Sequence, residues 1–176
     1  NKDRLERILE TRNDPASGKP WQRVKFEPAL LVYKVGKQRY EKKPDNADLA
    51  TIARIENMPL PAGITTDRFP IEEMYHGSRI APKGFTNIHH FFLPRSAQAM
   101  ALLWSKANAY PEPRIRSALK FLIEQAFWTA SLLNRFRPTG FSQVNQYLTG
   151  VYYVASQHAE CSPWYILEGK LERLAK

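Results

Sequence analysis

Apolar residues fall into short alternating runs near the front of the chain and into longer helical stripes behind them. Leu5, Ile8 and Leu9 recur at helical spacing and predict a helix over Asp3–Thr11. Asn13-Asp14-Pro15 and Ser17-Gly18 then end it in a loop. Val24 and Phe26 alternate with Arg23 and Lys25, which predicts a strand over Trp21–Phe26. A β-branched and aromatic run follows, is broken at Gly36-Lys37 and resumes. This predicts a β-hairpin of Leu30–Val35 and Gln38–Lys42.

Helical patterning takes over from there. Asp45 or Asn46 can cap a helix over Ala47–Asn57, which Pro59 and Pro61 stop. Leu60–Gly84 has no periodicity, and an irregular stretch of about 25 residues is often functional or a docking element. Pro94 opens a helix to Asn108, with Ala97, Met100, Ala101, Leu103 and Trp104 facing inward. The turn Tyr110–Pro113 leads into a longer antiparallel neighbour, Arg114–Leu133. Arg135–Gly140 reads as a basic loop, Thr149–Ala155 as a strand, and Pro163–Leu174 as a last helix capped by Ser162. The expected class is α+β, a basic β-hairpin or small antiparallel sheet packed with a bundle of four to five helices. The expected organisation is one inserted domain, 1–176, of a longer chain, because the first residue is Asn1 rather than Met. Its parts are a basic helix and hairpin (1–43), a helix and long irregular segment (44–93), and a helical core with one strand (94–176).

Charge changes this picture. The chain has 176 residues with 26 basic and 17 acidic side chains, a net +9. Residues 1–43 hold 12 basic and 6 acidic residues, 44–74 hold 2 and 6, 75–140 hold 9 and 2, and 141–176 hold 3 and 3. Two basic zones therefore flank an acidic one, which suggests a polyanionic partner. One cysteine, Cys161, allows no internal disulfide and fits a reducing cytoplasm. With His158 nearby it has the makings of a nucleophile, but a small half-buried apolar role is the expectation. No apolar run is long enough for a membrane helix, so no membrane partner is expected.

Marked catalytic motifs are missing: no GxGxxG, GxxxxGK[ST], GxSxG, HExxH or CxxC occurs. His89 and His90 are adjacent, and on a strand they would face opposite ways, one buried and one exposed. A metal would need His76 and Glu72 or Glu73 as well, so none is expected. The expected role of the histidine pair is to hydrogen-bond the long loop to the helix pair. Basic residues interleaved with aromatics are the stronger signal. Arg79, Lys83 and Arg95 bracket Phe85, Phe91 and Phe92, and Arg135 and Arg137 bracket Phe136. Arg and Lys neutralise phosphates, Gln and Asn read base edges, and aromatics stack on displaced bases, while a core role for Phe91, Phe92, Phe136 and Phe141 is the commoner one for any single Phe. The DNA-contact candidates are Lys83, Arg95, Arg135 and Arg137. Behind them stand the hairpin cations Lys34, Lys37, Arg39, Lys42 and Lys43, with Gln143 and Asn145 as base readers. The hairpin lysines can equally be a solvated edge guarded against aggregation, and Arg135–Arg137 can compensate a helix dipole.

Gly84-Phe-Thr-Asn-Ile-His-His-Phe-Phe92, then Pro94-Arg95 and Ala101-Leu102-Leu103-Trp104, resembles a segment of bacterial DNA methylases of the N-4/N-6 type. Leu133-Asn-Arg-Phe-Arg-Pro138, the strand Gly150–Val154 and the stretch Ile52–Pro61 are similar too. The resemblance covers about 44–176. It implies an inserted segment between the cofactor-binding part and the catalytic loop of an S-adenosylmethionine-dependent enzyme, with DNA and the parent's catalytic domain as partners and a bacterial cytoplasmic location. The chain departs from the family in lacking any [DNS]PP[YFW] tetrapeptide and any glycine-rich S-adenosylmethionine loop. No catalytic or cofactor-binding residue carries over, and no cofactor is expected in this segment. Three alternatives follow: a DNA-binding insert, a structural or docking insert without DNA contact, and an autonomous enzyme using His89, His90 or Cys161.

Overall fold

A computed structural model describes residues 8–74, 77–144 and 154–175, without the side chains of 141–144. The class is α+β. The chain divides between Pro59 and Leu60 into two compact units.

Of the helix expected over Asp3–Thr11, residues 3–7 lie outside the described residues, and residues 9–11 stand in a hairpin of the first unit instead. Leu9–Asn13 is strand β1, paired antiparallel with β2, Pro20–Val24. The residues expected to end a helix instead make the turn. Asp14 Oδ1 accepts from the amides of Ala16 and Ser17, and Gly18 takes a left-handed φ of 68°. Across the pair Arg23 Nε donates to Glu10 Oε1 at 2.8 Å, and its guanidinium lies 5.2 Å from the Trp21 ring centroid. The predicted second hairpin is present as β3, Leu31–Val35, and β4, Gln38–Lys42. Helix α1, Asn46–Glu56, follows with a reciprocal cap: Asp45 Oδ1 accepts from the Asp48 amide, and Asp48 Oδ2 from the Asp45 amide. Lys42 Nζ bridges Asp45 and Asp48 at 2.9 and 2.8 Å, tying the end of β4 to the start of α1.

The second unit is built on three helices: α3, Pro94–Asn108; α4, Pro113–Ala130; and α5, Pro163–Leu174. Between α1 and α3 lies a short helix α2, Gly77–Ile80, with 3₁₀ turns at Ala81–Lys83 and Ile88–Phe91. Proline opens each main helix, where its missing N–H costs nothing. Glu112 caps α4 by accepting from the amides of Arg114 and Ile115. Met100, Ala107, Ile123, Ala126, Ala130 and Leu167 form the centre, with Trp104 and Phe127 edge-to-face against it. Small alanines at the contacts let the helices approach closely.

Helix α4 ends at Ala130, three residues before the sequence pattern suggests. The Ser131 backbone is extended, bridges Phe92, and leaves the Leu132 amide to donate to Phe91 O at 2.7 Å. Pairing with the 3₁₀ segment outcompetes another helical turn. The expected basic loop is also a hairpin: β5, Asn134–Arg137, pairs with β6, Phe141–Val144, around Gly140 at φ 95°. Most of the expected strand Thr149–Ala155 lies outside the described residues, and Val154 and Ala155 are irregular.

The long stretch before α3 is irregular but tied down. Phe69 N donates to Thr86 O, Ile88 N to Asp67 O, and Asn87 Nδ2 to Thr66 O. Gly77 passes so close that a Cβ would sit 1.9 Å from the Ile71 carbonyl oxygen. Residues 157–159 run along the free edge of β5 through Phe136 N to Gln157 O and Ala159 N to Asn134 O. Asn134, fully buried, fastens this strap: its Nδ2 donates to Thr129 O at 3.0 Å and Ala159 O at 2.6 Å.

Two outcomes follow. Asn134→Ala removes the donor that the Ala159 and Thr129 carbonyls share and should cost about 2–3 kcal/mol, read by chemical denaturation. Amide exchange should rise first in 157–161. Asp45, held to a pKa of about 2 by the Lys42 ammonium and the Asp48 amide, lies below its ordinary 3.8. Its stabilising contribution is full above pH 3.8 and fades as pH falls toward about 2. Asp45→Ala should lower helicity at neutral pH and abolish that acid step in circular dichroism.

Candidate nucleic-acid interface

The structure sorts the candidate cations by what they already hold. Arg95 is clamped in place: its Nε and Nη2 each lie 2.6 Å from Glu160 Oε2, and Ser96 Oγ donates to Glu160 Oε1 at 3.1 Å. Lys83 Nζ donates to the Val154 carbonyl at 3.3 Å. These two, placed among the leading DNA contacts by the sequence, instead fasten the strap 154–160 to the helical core. A carboxylate 65 residues away in sequence is invisible to local patterning.

Arg135 and Arg137 occupy alternate positions of β5 and so share one face, with Arg137 exposed and Arg135 partly buried. Arg135 bridges His158 on one edge and stands opposite Gln143 on the other, while Arg137 stands opposite Phe141. Register therefore brings Arg135, Arg137 and Gln143 into one small sheet. Asn145 lies outside the described residues.

In the first unit β3–β4 register places Lys34 opposite Arg39, and Arg39 pairs with Glu41 along its own strand at 2.7 Å. Lys37 sits at the exposed tip, and Lys43 is exposed beyond the base. Lys42 is occupied by Asp45 and Asp48, which raises its pKa. Surface pairs of this kind are weak enough for a polyanion to exchange them. Lys37, Lys43 and Arg137 engage no carboxylate among the described residues.

The stacking role weighed for the aromatics does not hold for Phe85 and Phe91, and the histidines depart from the expected strand. Phe85 and Phe91 are core, their rings 5.0 Å apart, and stack on no solvent-facing surface. His89 and His90 lie in a 3₁₀ turn rather than a strand, so both are buried, with ring centroids 4.2 Å apart. His90 Nδ1 accepts from the amides of Thr86 and Asn87, each at 3.2 Å, so it orders the end of the loop itself. His76 lies outside the described residues. Cys161 is buried against Asn134 Nδ2 at 3.6 Å.

Two further features went unread in the sequence. Tyr33 and Tyr40 face each other across the first unit's second hairpin and stack, because period-two alternation and a two-residue turn put them in register. Helices α3, α4 and α5 enclose an open cavity of about 750 Å³. Its floor is Leu119, Leu122, Ile123 and Leu167, and Lys106, Glu168 and Glu172 stand among its walls.

His158 sits at the junction of β5 and the strap. Its Nδ1 lies 2.8 Å from the Asn134 carbonyl, which only accepts, so Nδ1 carries the proton. Burial lowers its pKa from the ordinary 6.5 and outweighs the Asn134 hydrogen bond and the Glu160 charge, which act the other way. The unfolded chain therefore binds a proton that the folded chain refuses as pH drops through 6.5. Stability should decline below that pH until the folded pKa is reached. His158→Gln should flatten this slope in denaturation curves taken between pH 7 and pH 5.

No protein-family model, no curated protein and no solved structure matches the chain.

Proposed function

We propose that the chain is a non-catalytic, DNA-binding and target-recognition segment of a site-specific bacterial DNA methyltransferase that methylates an exocyclic amine of adenine or cytosine. The observation that carries this reading is the β5–β6 hairpin, where Arg135 and Arg137 share a face and Gln143 lies opposite Arg135. Alternate strand positions lie about 7 Å apart and point to one face, so both arginines are presented on the same side of the hairpin. An adjacent carboxamide position suits base-edge reading. The resemblance of Gly84–Phe92 and Leu133–Pro138 to amino-methyltransferase segments supports the parent enzyme. S-adenosylmethionine and the reacting base then belong to other parts of that enzyme, and the location is the bacterial cytoplasm. Among the described residues no helix is long and apolar enough to cross a membrane.

A docking insert without DNA contact is the second reading. It is favoured by Phe121 and Trp128, seven residues apart on α4 and 67% and 58% exposed. Such a face suits packing on a larger protein.

Duplex binding by the full chain, measured by fluorescence anisotropy, separates the two. On the first reading, log affinity falls linearly with log salt, with a slope of about −0.9 per phosphate neutralised. Arg135→Ala with Arg137→Ala should reduce that slope by about two contacts and weaken binding at least ten-fold. Undiminished binding by the double variant, or none at low salt, would reject DNA contact through this hairpin.

A further inference from the structure

We infer that the β3–β4 hairpin is a stacking platform for unpaired nucleotides. The inference rests on the reading of this chain as a nucleic-acid binder and names the state of the strand that one surface takes. Tyr33 and Tyr40 are directly opposed in register, their rings 5.6 Å apart between centroids and tilted by 21°. They remain 44% and 39% exposed, so this aromatic pair is not core. Alternation puts Leu31, Tyr33 and Val35 on the same face as Gln38, Tyr40 and Lys42, and Val35 is also exposed.

Charge decides what covers this face. Residues 31–43 hold Lys34, Lys37, Arg39, Lys42 and Lys43; Arg39 pairs with Glu41 and Lys42 with Asp45 and Asp48, while Lys37 and Lys43 engage no carboxylate among the described residues. Lys37 stands at the tip and Lys43 just beyond the base, so one exposed cation lies at each end of the aromatic shelf. The strand between them spans about 13 Å at 3.3 Å per residue, the length of about two nucleotides. An apolar partner protein covering the hairpin would have to desolvate the Lys37 and Lys43 ammoniums beside the tyrosines, which costs free energy without matching carboxylates. A nucleotide strand supplies both complements at once, base faces for the rings and phosphates for the ammoniums. Paired bases hide their faces in the duplex stack, so an exposed ring serves an unpaired strand. The paired rings also explain the absence of a sequence motif, because every base has a face to offer.

The experiment uses the full chain and a fluorescein-labelled oligothymidylate of about 16 nucleotides, the upper end of a single-strand site, beside a mixed-sequence duplex of equal length. Tyr33→Thr with Tyr40→Thr keeps strand propensity but removes both rings, and Tyr33→Phe with Tyr40→Phe keeps the rings. Circular dichroism establishes that each variant is folded. Oligothymidylate affinity should fall ten-fold or more in the threonine variant and stay within about two-fold in the phenylalanine variant, while duplex affinity stays within about two-fold in both. The platform is rejected if the threonine variant binds the single strand like wild type, if the phenylalanine variant loses as much, or if both nucleic acids are lost equally. It is also rejected if wild type binds no oligothymidylate at low salt. Tyrosine-dependent single-strand binding without duplex binding would leave the platform standing and remove the duplex role proposed for β5–β6.

Discussion

The carboxamide of Asn134 is the constraint on which the second unit depends. With no surface in contact with solvent, it joins the last turn of α4, the start of β5 and the strap carrying His158 and Cys161. Without those bonds the carbonyls of Thr129 and Ala159 would be buried with one fewer donor, and β5 would lose a neighbour on its outer edge. The Arg95–Glu160 pair repeats the arrangement one residue further along, anchoring the strap to the first turn of α3. Desolvation makes such buried contacts costly to break and selective for one arrangement. The hairpin bearing Arg135 and Arg137 inherits its position from them.

Much of the fold was legible because it rests on period. Helices over Pro94–Asn108 and Pro163–Leu174 and the hairpin around Gly36-Lys37 follow from local spacing and turn chemistry, and they stand where the pattern puts them. The failures share one cause, competition from partners distant in sequence. Leu9–Asn13 has acceptable helical spacing, yet an Asp14 side-chain turn brings Pro20–Val24 alongside and strand pairing wins. Leu132 is a good helix former, but the Phe91 carbonyl captures its amide. Candidate site residues were harder still, since a Lys or Arg reads alike whether it faces water or Glu160. Arg137, Lys37 and Lys43 are exposed as a binding role requires, whereas Lys83 and Arg95 are structural ties.

Part of what carries the resemblance to amino-methyltransferase segments is interior. Phe85, His89, His90, Phe91, Leu133 and Asn134 are all buried. Such strings record how a scaffold is held together. Arg135 and Arg137 fall inside one of these strings, whereas Tyr33, Tyr40, Phe121 and Trp128 fall outside them.

The Lys42 clamp has a consequence for how the first unit answers to its surroundings. One ammonium closes the base of the β3–β4 hairpin and the cap of α1 together. A lone anion meets a cation already satisfied by two carboxylates and gains little by displacing them. Hairpin base and helix start are therefore coupled through a single side chain, and loss of that ammonium would loosen both ends at once.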